Sequence, residues 1–139
     1  MHKKLKPFLL INTFLILFLF WLGVIFDLFI KINNYDTFLH LLGGFWGACI
    51  IIWLYKKFPK KTPFHKKVFS NPFIFVPLLM LLVGLGWELF EFILVEYSIK
   101  AHGTSINLQP SNLDTLTDLI SDFVGAFVAV FILDKKDSL

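Results

Sequence analysis

Residues 113–133 read LDTLTDLISDFVGAFVAVFIL, and the fold follows from this stretch. It has the length of a helix that crosses a bilayer, which takes about 20 mostly apolar residues. Yet its first half carries Asp114, Asp118 and Asp122. These acids are successive i, i+4 neighbours that drift only about 40° per step, so one stripe of the helix holds all three. At about 1.5 Å per residue, Asp122 lies about 13 Å below the start of the segment, close to mid-membrane. A carboxylate near the bilayer centre costs about 2.5–3.5 kcal/mol on insertion scales, and like charges one turn apart repel. Such a stripe survives only if it faces the interior of a helix bundle, where it is protonated, hydrogen-bonded, hydrated or met by cations.

The other helices of that bundle are visible in the remaining sequence. Apolar blocks of spanning length predict four transmembrane helices, Pro7–Ile30, Thr37–Tyr55, Pro72–Val95 and Leu113–Leu133. The expected fold is an all-α, polytopic four-transmembrane-helix bundle, with residues 1–139 forming a single membrane domain. Composition agrees: 57% of the 139 residues are hydrophobic, with 18 Phe and 4 Trp. A soluble domain of this size cannot bury so much. His2-Lys3-Lys4-Leu5-Lys6 resembles the basic start of a signal peptide, but the apolar stretch after it is too long and no small-x-small cleavage site follows. The first span is expected to stay as an anchor, with Asn12 and Thr13 as mild polar interruptions; a Thr can bond its own helix's carbonyls.

All 13 basic residues are lysines. Lys3, Lys4 and Lys6 precede the first span, Lys56, Lys57, Lys60, Lys61, Lys66 and Lys67 lie between the second and third, and Lys135 and Lys136 follow the fourth. All of these fall on one side of the membrane, and only Lys31 and Lys100 fall on the other. The positive-inside rule therefore places both termini in the cytoplasm, with the protein expected in the plasma membrane. The net charge of +3 sits in short loops and does not indicate nucleic-acid binding. The loop around His65, with Pro59 and Pro63, reads as topology-setting charge that can also attract anionic headgroups. Without arginine, no bidentate grip on phosphate or carboxylate is possible. The single cysteine, Cys49, cannot form an internal disulfide and reads as a small packing residue.

On this topology most of the acids gather at one depth. Asp36 and His40 stand at the outer start of the second span, Glu88 and Glu91 in the outer third of the third, and Asp114, Asp118 and Asp122 in the fourth. Asp36 and His40 are four apart, and Glu88 and Glu91 three apart, so each pair shares a helix face. Topology does not force this alignment, because acids contribute little to the inside rule. Asp36, His40, Glu88, Glu91, Asp114, Asp118 and Asp122 are the candidate metal ligands, with His40, Glu88 and Glu91 the candidate catalytic groups. Hard oxygen donors suit Mg²⁺, Mn²⁺ or Ca²⁺, and the expected cofactor is a divalent metal ion, Mg²⁺ or Mn²⁺. Thr115, Thr117 and Ser121 extend the polar stripe, while Asp27 and Glu96 are lone acids near the interface. Gly43, Gly44, Gly47, Ala48, Gly84, Gly86, Gly125, Ala126 and Ala129 read chiefly as packing residues that let helices approach closely.

Three stations in this order, Asp36-Thr-Phe-Leu-His40 followed by Gly44, then Glu88-Leu-Phe-Glu91, then Asp114-Thr-Leu-Thr-Asp118, resemble those of the YjdF-like small polytopic membrane proteins, an uncharacterised family. The layout is also similar to that of the VanZ-like proteins, whose last station, Asp-x-x-x-Asn-x-x-Gly, here reads Asp118-Leu-Ile-Ser-Asp122-Phe-Val-Gly125. Ser111-Asn112-Leu113 replaces the Gly-Asp that often precedes the Asp-Thr station. The VanZ-like glutamine and downstream arginine are absent. The resemblance covers the second span onward and implies the fold and the site location.

Three functions fit these residues. One is a metal-dependent enzyme acting on a lipid-linked phosphate at the outer leaflet, with His40 as acid or base. Another is cation or proton transport, which needs a polar route to the cytoplasm that the apolar inner halves of the spans do not offer. The third is non-catalytic binding of a ligand, a cation or a partner. Membrane lipids, with a lipid-linked phosphate among them, are the expected partners. Residues 97–112, with His102, Gly103 and Pro110, are expected to form a connector or lid over the outer mouth.

Overall fold

A computed structural model of the chain describes residues 2–57, 71–102 and 112–135. Its described elements are all helical: α1 (His2–Phe26), the short α2 (Leu28–Lys31), α3 (Tyr35–Lys57), α4 (Pro72–His102) and α5 (Asn112–Lys135). Four of them are long and apolar enough to cross a membrane, over Lys6–Phe26, Tyr35–Leu54, Pro72–Lys100 and Leu113–Leu133. The protein is an all-α four-helix membrane bundle. Its outer surface is correspondingly apolar, with Phe14, Phe18, Ile93 and Ile120 exposed, a pattern that water would disfavour and lipid does not.

Two boundaries differ from those expected. The first span does not continue to Ile30, because Asp27 adopts a left-handed conformation (φ 54°) and ends α1. Aspartate tolerates this region better than most residues. Lys31 closes the corner by donating to the Phe26 carbonyl at 2.8 Å, which satisfies one of the carbonyls orphaned at a helix end. The turn folds Phe29 back between Phe20 and Tyr35, with ring centroids 5.8 and 5.3 Å apart. Asp27→Val is expected to lower stability by about 1–2 kcal/mol, the cost of a left-handed L-residue, read as a lower thermal midpoint in detergent.

The second difference is in α4. It starts as expected at Pro72, where Asn71 caps it by accepting the Phe73 amide at 3.1 Å and proline stands in its favoured first position. It then runs past Val95 to His102. Its 31 residues span about 46 Å, well beyond the ~30 Å of a bilayer's hydrocarbon. The extra length lies beyond Val95, so Glu88 and Glu91 stand near the middle of the helix as a whole while keeping their place within the Pro72–Val95 segment. The first part of the expected 97–112 connector is helix; Gly103 and Pro110 lie outside the described residues, as does the lysine-rich segment 58–70 with His65.

Contacts give the helix directions. Tyr35 and Trp46 of α3 donate to the carbonyls of Leu19 and Leu9 on α1, at 2.7 and 3.3 Å, so these helices are antiparallel. Phe73 of α4 stacks edge-on against Phe127 of α5 (5.9 Å), while Gly84 lies beside Leu119 and Asp122, again antiparallel. In contrast, Gly44 of α3 lies against the Asp122 backbone, and Gly125 of α5 against Leu41 and Phe45. Asp118 is hydrogen-bonded by Thr37 while Asp122, one turn later, lies against Gly44, so the numbers rise together and α3 and α5 are parallel neighbours. A side chain at Gly44 or Gly125 would strike the facing backbone, which is why this interface needs residues with none. Gly86 differs, with nothing within 4 Å of where a Cβ would stand; it has no part in the close packing.

Below the glycines, towards the N-terminal end of the bundle, Ala48, Cys49, Ile52, Val76, Met80, Ala126, Ala129, Val130 and Leu133 form a continuous apolar core. Cys49 is buried among them. Thr13 and Asn12 bond the carbonyls of Leu9 and Phe8 on their own helix, at 2.8 and 2.9 Å.

Candidate functional site

Above that core, at the opposite end from the N-terminus, the close approach of α3 and α5 brings His40 against Asp122. Asp122 Oδ2 lies 3.1 Å from His40 Nδ1. The other ring nitrogen, Nε2, lies 3.4 Å from Glu88 Oε1 and 3.9 Å from Asp36 Oδ1. It is fully buried and makes no hydrogen bond. The imidazole is thus surrounded by carboxylates from three helices.

Burial is deep. His40, Glu88 and Asp122 are about 5% exposed or less, and Glu91 and Asp118 are 1% exposed. Glu91 accepts a 2.9 Å hydrogen bond from the Trp87 indole, one turn earlier on α4. Asp118 is hydrogen-bonded by Thr37 of α3, yet its Oδ1 is buried with no hydrogen-bond partner. An unmatched polar atom at such depth costs free energy comparable to a lost hydrogen bond or more.

Two sets of side chains each bring three ligand atoms within 4.8 Å of one another: Asp36, His40 and Asp118, and His40, Glu88 and Glu91. His40 belongs to both. Six of the seven candidate ligands therefore meet in one place. Asp114 lies one turn above Asp118, half-buried, in neither set, although its field reaches Glu88 and His40. Asp27 and Glu96 lie elsewhere, beside Lys31 at 3.6 Å and Lys100 at 3.8 Å. These exposed pairs occupy the two lysines that belong to this end of the bundle. Thr117 and Ser121 bond the carbonyls of Leu113 and Thr117 on their own helix, at 2.7 and 2.9 Å, so they add no donors to the cluster.

Thr37 and Trp87 are additions that the pattern of acids did not supply. The spacing of Trp87 and Glu91, four apart, places them on one face and is a usable signal in retrospect. Thr37 has none, because its bond crosses between helices. Equally absent from the pattern is a cavity of about 270 Å³ beside the cluster. It is walled by α1, α3 and α4, and Asp36, His40 and Asp122 stand at its edge.

A family model described as "Predicted membrane protein (DUF2238)" matches residues 2–136. No curated protein and no solved structure matches the chain.

Proposed function

The chain belongs to the DUF2238 family of predicted membrane proteins, and on that premise we propose that it binds a divalent cation, Mn²⁺ or Mg²⁺, through His40 and the surrounding carboxylates, and that this cation holds a lipid-linked phosphate. We read its three stations as those of a YjdF-like protein, with both termini in the cytoplasm and the cluster in the outer half of the plasma membrane.

The observation that carries this reading is the two-sided environment of His40. A metal-binding histidine usually gives its second nitrogen to a carboxylate, which fixes the tautomer and ring orientation. Asp122 at Nδ1 supplies that partner. Nε2 is then left facing Glu88 and Asp36, with Asp118 and Glu91 in the two adjoining sets. In this arrangement Asp122 orients His40, and the other carboxylates are ligands. Placing Nε2 on the cation makes His40 a ligand rather than an acid or base. An imidazole among carboxylates suits Mn²⁺ better than Mg²⁺, which prefers an all-oxygen shell. For a chain without arginine, a cation is also the available means of gripping phosphate.

A non-catalytic site is the second reading, favoured by the near-complete burial of Glu91 and Asp118. There the cation ties α3, α4 and α5 together and turns nothing over. Transport gains no support: beyond Asp122 the described core is Ala126, Ala129, Val130, Ala48 and Val76, with no polar path.

The test is metal content and thermal stability of the purified protein, compared with Glu88→Gln and Asp118→Asn. Mn²⁺ at 100 times its dissociation constant is expected to stabilise the wild type by about 2.7 kcal/mol. Both variants should lose that shift, while their metal-free forms are no less stable than wild type, since each relieves carboxylate repulsion. A wild-type protein that carries no metal and melts identically with Mn²⁺, Mg²⁺ or chelator would refute the cation site.

A further inference from the structure

The cavity beside the cluster is polarised along the membrane normal. Its deep end lies at Thr13, Gly47 and Met80, and its other end at Asp36, His40 and Trp87. On its walls α1 packs against α3, and α4 against α5 and α3, while α1 and α4 barely touch. The ring contact between Phe20 and Trp87, 5.7 Å between centroids, bridges their seam. Leu17 and Val83 line the cavity from opposite sides of that seam, and both are about half exposed. The cavity thus opens sideways, at a depth where the surrounding solvent is hydrocarbon.

Water does not fill the apolar bore between Ile16, Leu17, Met80 and Val83, and leaving it empty forfeits the dispersion contacts of its walls. A volume of about 270 Å³ is close to the ~300–1,000 Å³ of small-molecule sites. One class of molecule matches both the apolar bore and the charged end.

We propose that the α1–α3–α4 cavity takes one hydrocarbon chain of an outer-leaflet lipid, admitted between α1 and α4 past Phe20 and Trp87, with its headgroup at the Asp36–His40 end. With the termini cytoplasmic, the deep end of the cavity points to the bilayer midplane, so its polarity runs as an outer-leaflet lipid's does. The assignment of the headgroup rests on the cation reading above; the seating of the chain rests on the cavity alone. Gly43 contributes the wall next to the charged end, and a Cβ there would meet only Asp122 Oδ1, at 4.0 Å.

The experiment places the full chain in nanodiscs containing a phosphate-headed lipid or a diacylglycerol, each with one diazirine high on its chain near the headgroup and one near the chain terminus, and maps the crosslinks by mass spectrometry. Lipid coating the outside cannot reach Leu39 or Met80, which are 7% and 3% exposed; a chain inside the cavity can. Label is expected on both residues. Gly43→Leu and Ile16→Trp, which fill the cavity from α3 and α1, should reduce it about tenfold, the effect of one overpacked side chain. Gly86→Leu, which points into open space, should leave it unchanged. Absence of label from Leu39 and Met80 in the wild type overturns the proposal, as does label that survives both filling variants. Asp118→Asn separates this proposal from the cation reading. Loss of label from the phosphate lipid alone, with diacylglycerol label kept, ties the headgroup to the cation. Label kept from both lipids leaves the chain seated and overturns the headgroup assignment.

Discussion

Gly44→Leu is expected to leave little folded protein, seen as a collapse of the monodisperse fraction after detergent extraction. The position of Gly44 against the Asp122 backbone leaves no flexible side chain to move aside. Any Cβ must drive α3 and α5 apart, and with them Gly125 from Leu41 and Phe45. Overpacking a core typically costs about 1–3 kcal/mol, and backbone facing backbone belongs at or above the top of that range. Separation also pulls His40 from Asp122, leaving buried charge unmatched. Gly86→Leu makes the same chemical change on α4 but meets nothing within 4 Å, so its yield and melting should match wild type. Equal behaviour of the two variants would show that the α3–α5 contact does not carry the fold.

The next largest effect is expected from His40→Ala. It removes the one group with cationic capacity from among Asp36, Glu88 and Asp122. Removing one partner from a buried ionic group costs about 3–5 kcal/mol, because the remaining charge stays buried without compensation. That is a large part of the 5–15 kcal/mol that holds a typical domain together. The thermal midpoint should fall sharply in chelator, and Mn²⁺ should no longer raise it. Asp122→Asn provides the contrast: it retains the imidazole and loses only its orienting carboxylate, so metal affinity should fall about 10–100-fold without vanishing. His40→Ala with wild-type melting in both chelator and Mn²⁺ would end the reading of His40 as the centre of the site.

The spacing of the acids made much of this site legible. Asp36 and His40, Glu88 and Glu91, and Asp118 and Asp122 do face the same interior, because intrahelical periodicity determines which residues share a face. What periodicity cannot say is which neighbour each face meets. That Asp122 takes Nδ1 and Glu88 approaches Nε2 depends on the glycine contact that sets the register of α3 against α5, and this is non-local. The break at Asp27 was hidden for another reason: an apolar run reads as one helix, whereas the turn depends on backbone conformation and on Lys31 reaching Phe26. The cavity was illegible because α1 shows the same apolar residues whether it seals against α4 or stands off from it. The overextension of α4 follows from the helix continuing through Glu96, Ser98 and Lys100, residues polar enough to suggest its end.

The parallel pairing of α3 with α5 also sets an order of events in biosynthesis. The ribosome delivers α3, with Asp36 and His40, and then α4, with Glu88 and Glu91, before α5 exists. The helix that presses against Gly44 and supplies Asp118 and Asp122 arrives last. Until then the nascent chain holds a histidine and several acids in the membrane without the partners that will enclose them. A chain arrested before residue 112 is therefore no smaller version of the protein. It is an insertion intermediate with an exposed polar seam, of the kind that membrane quality-control proteases degrade.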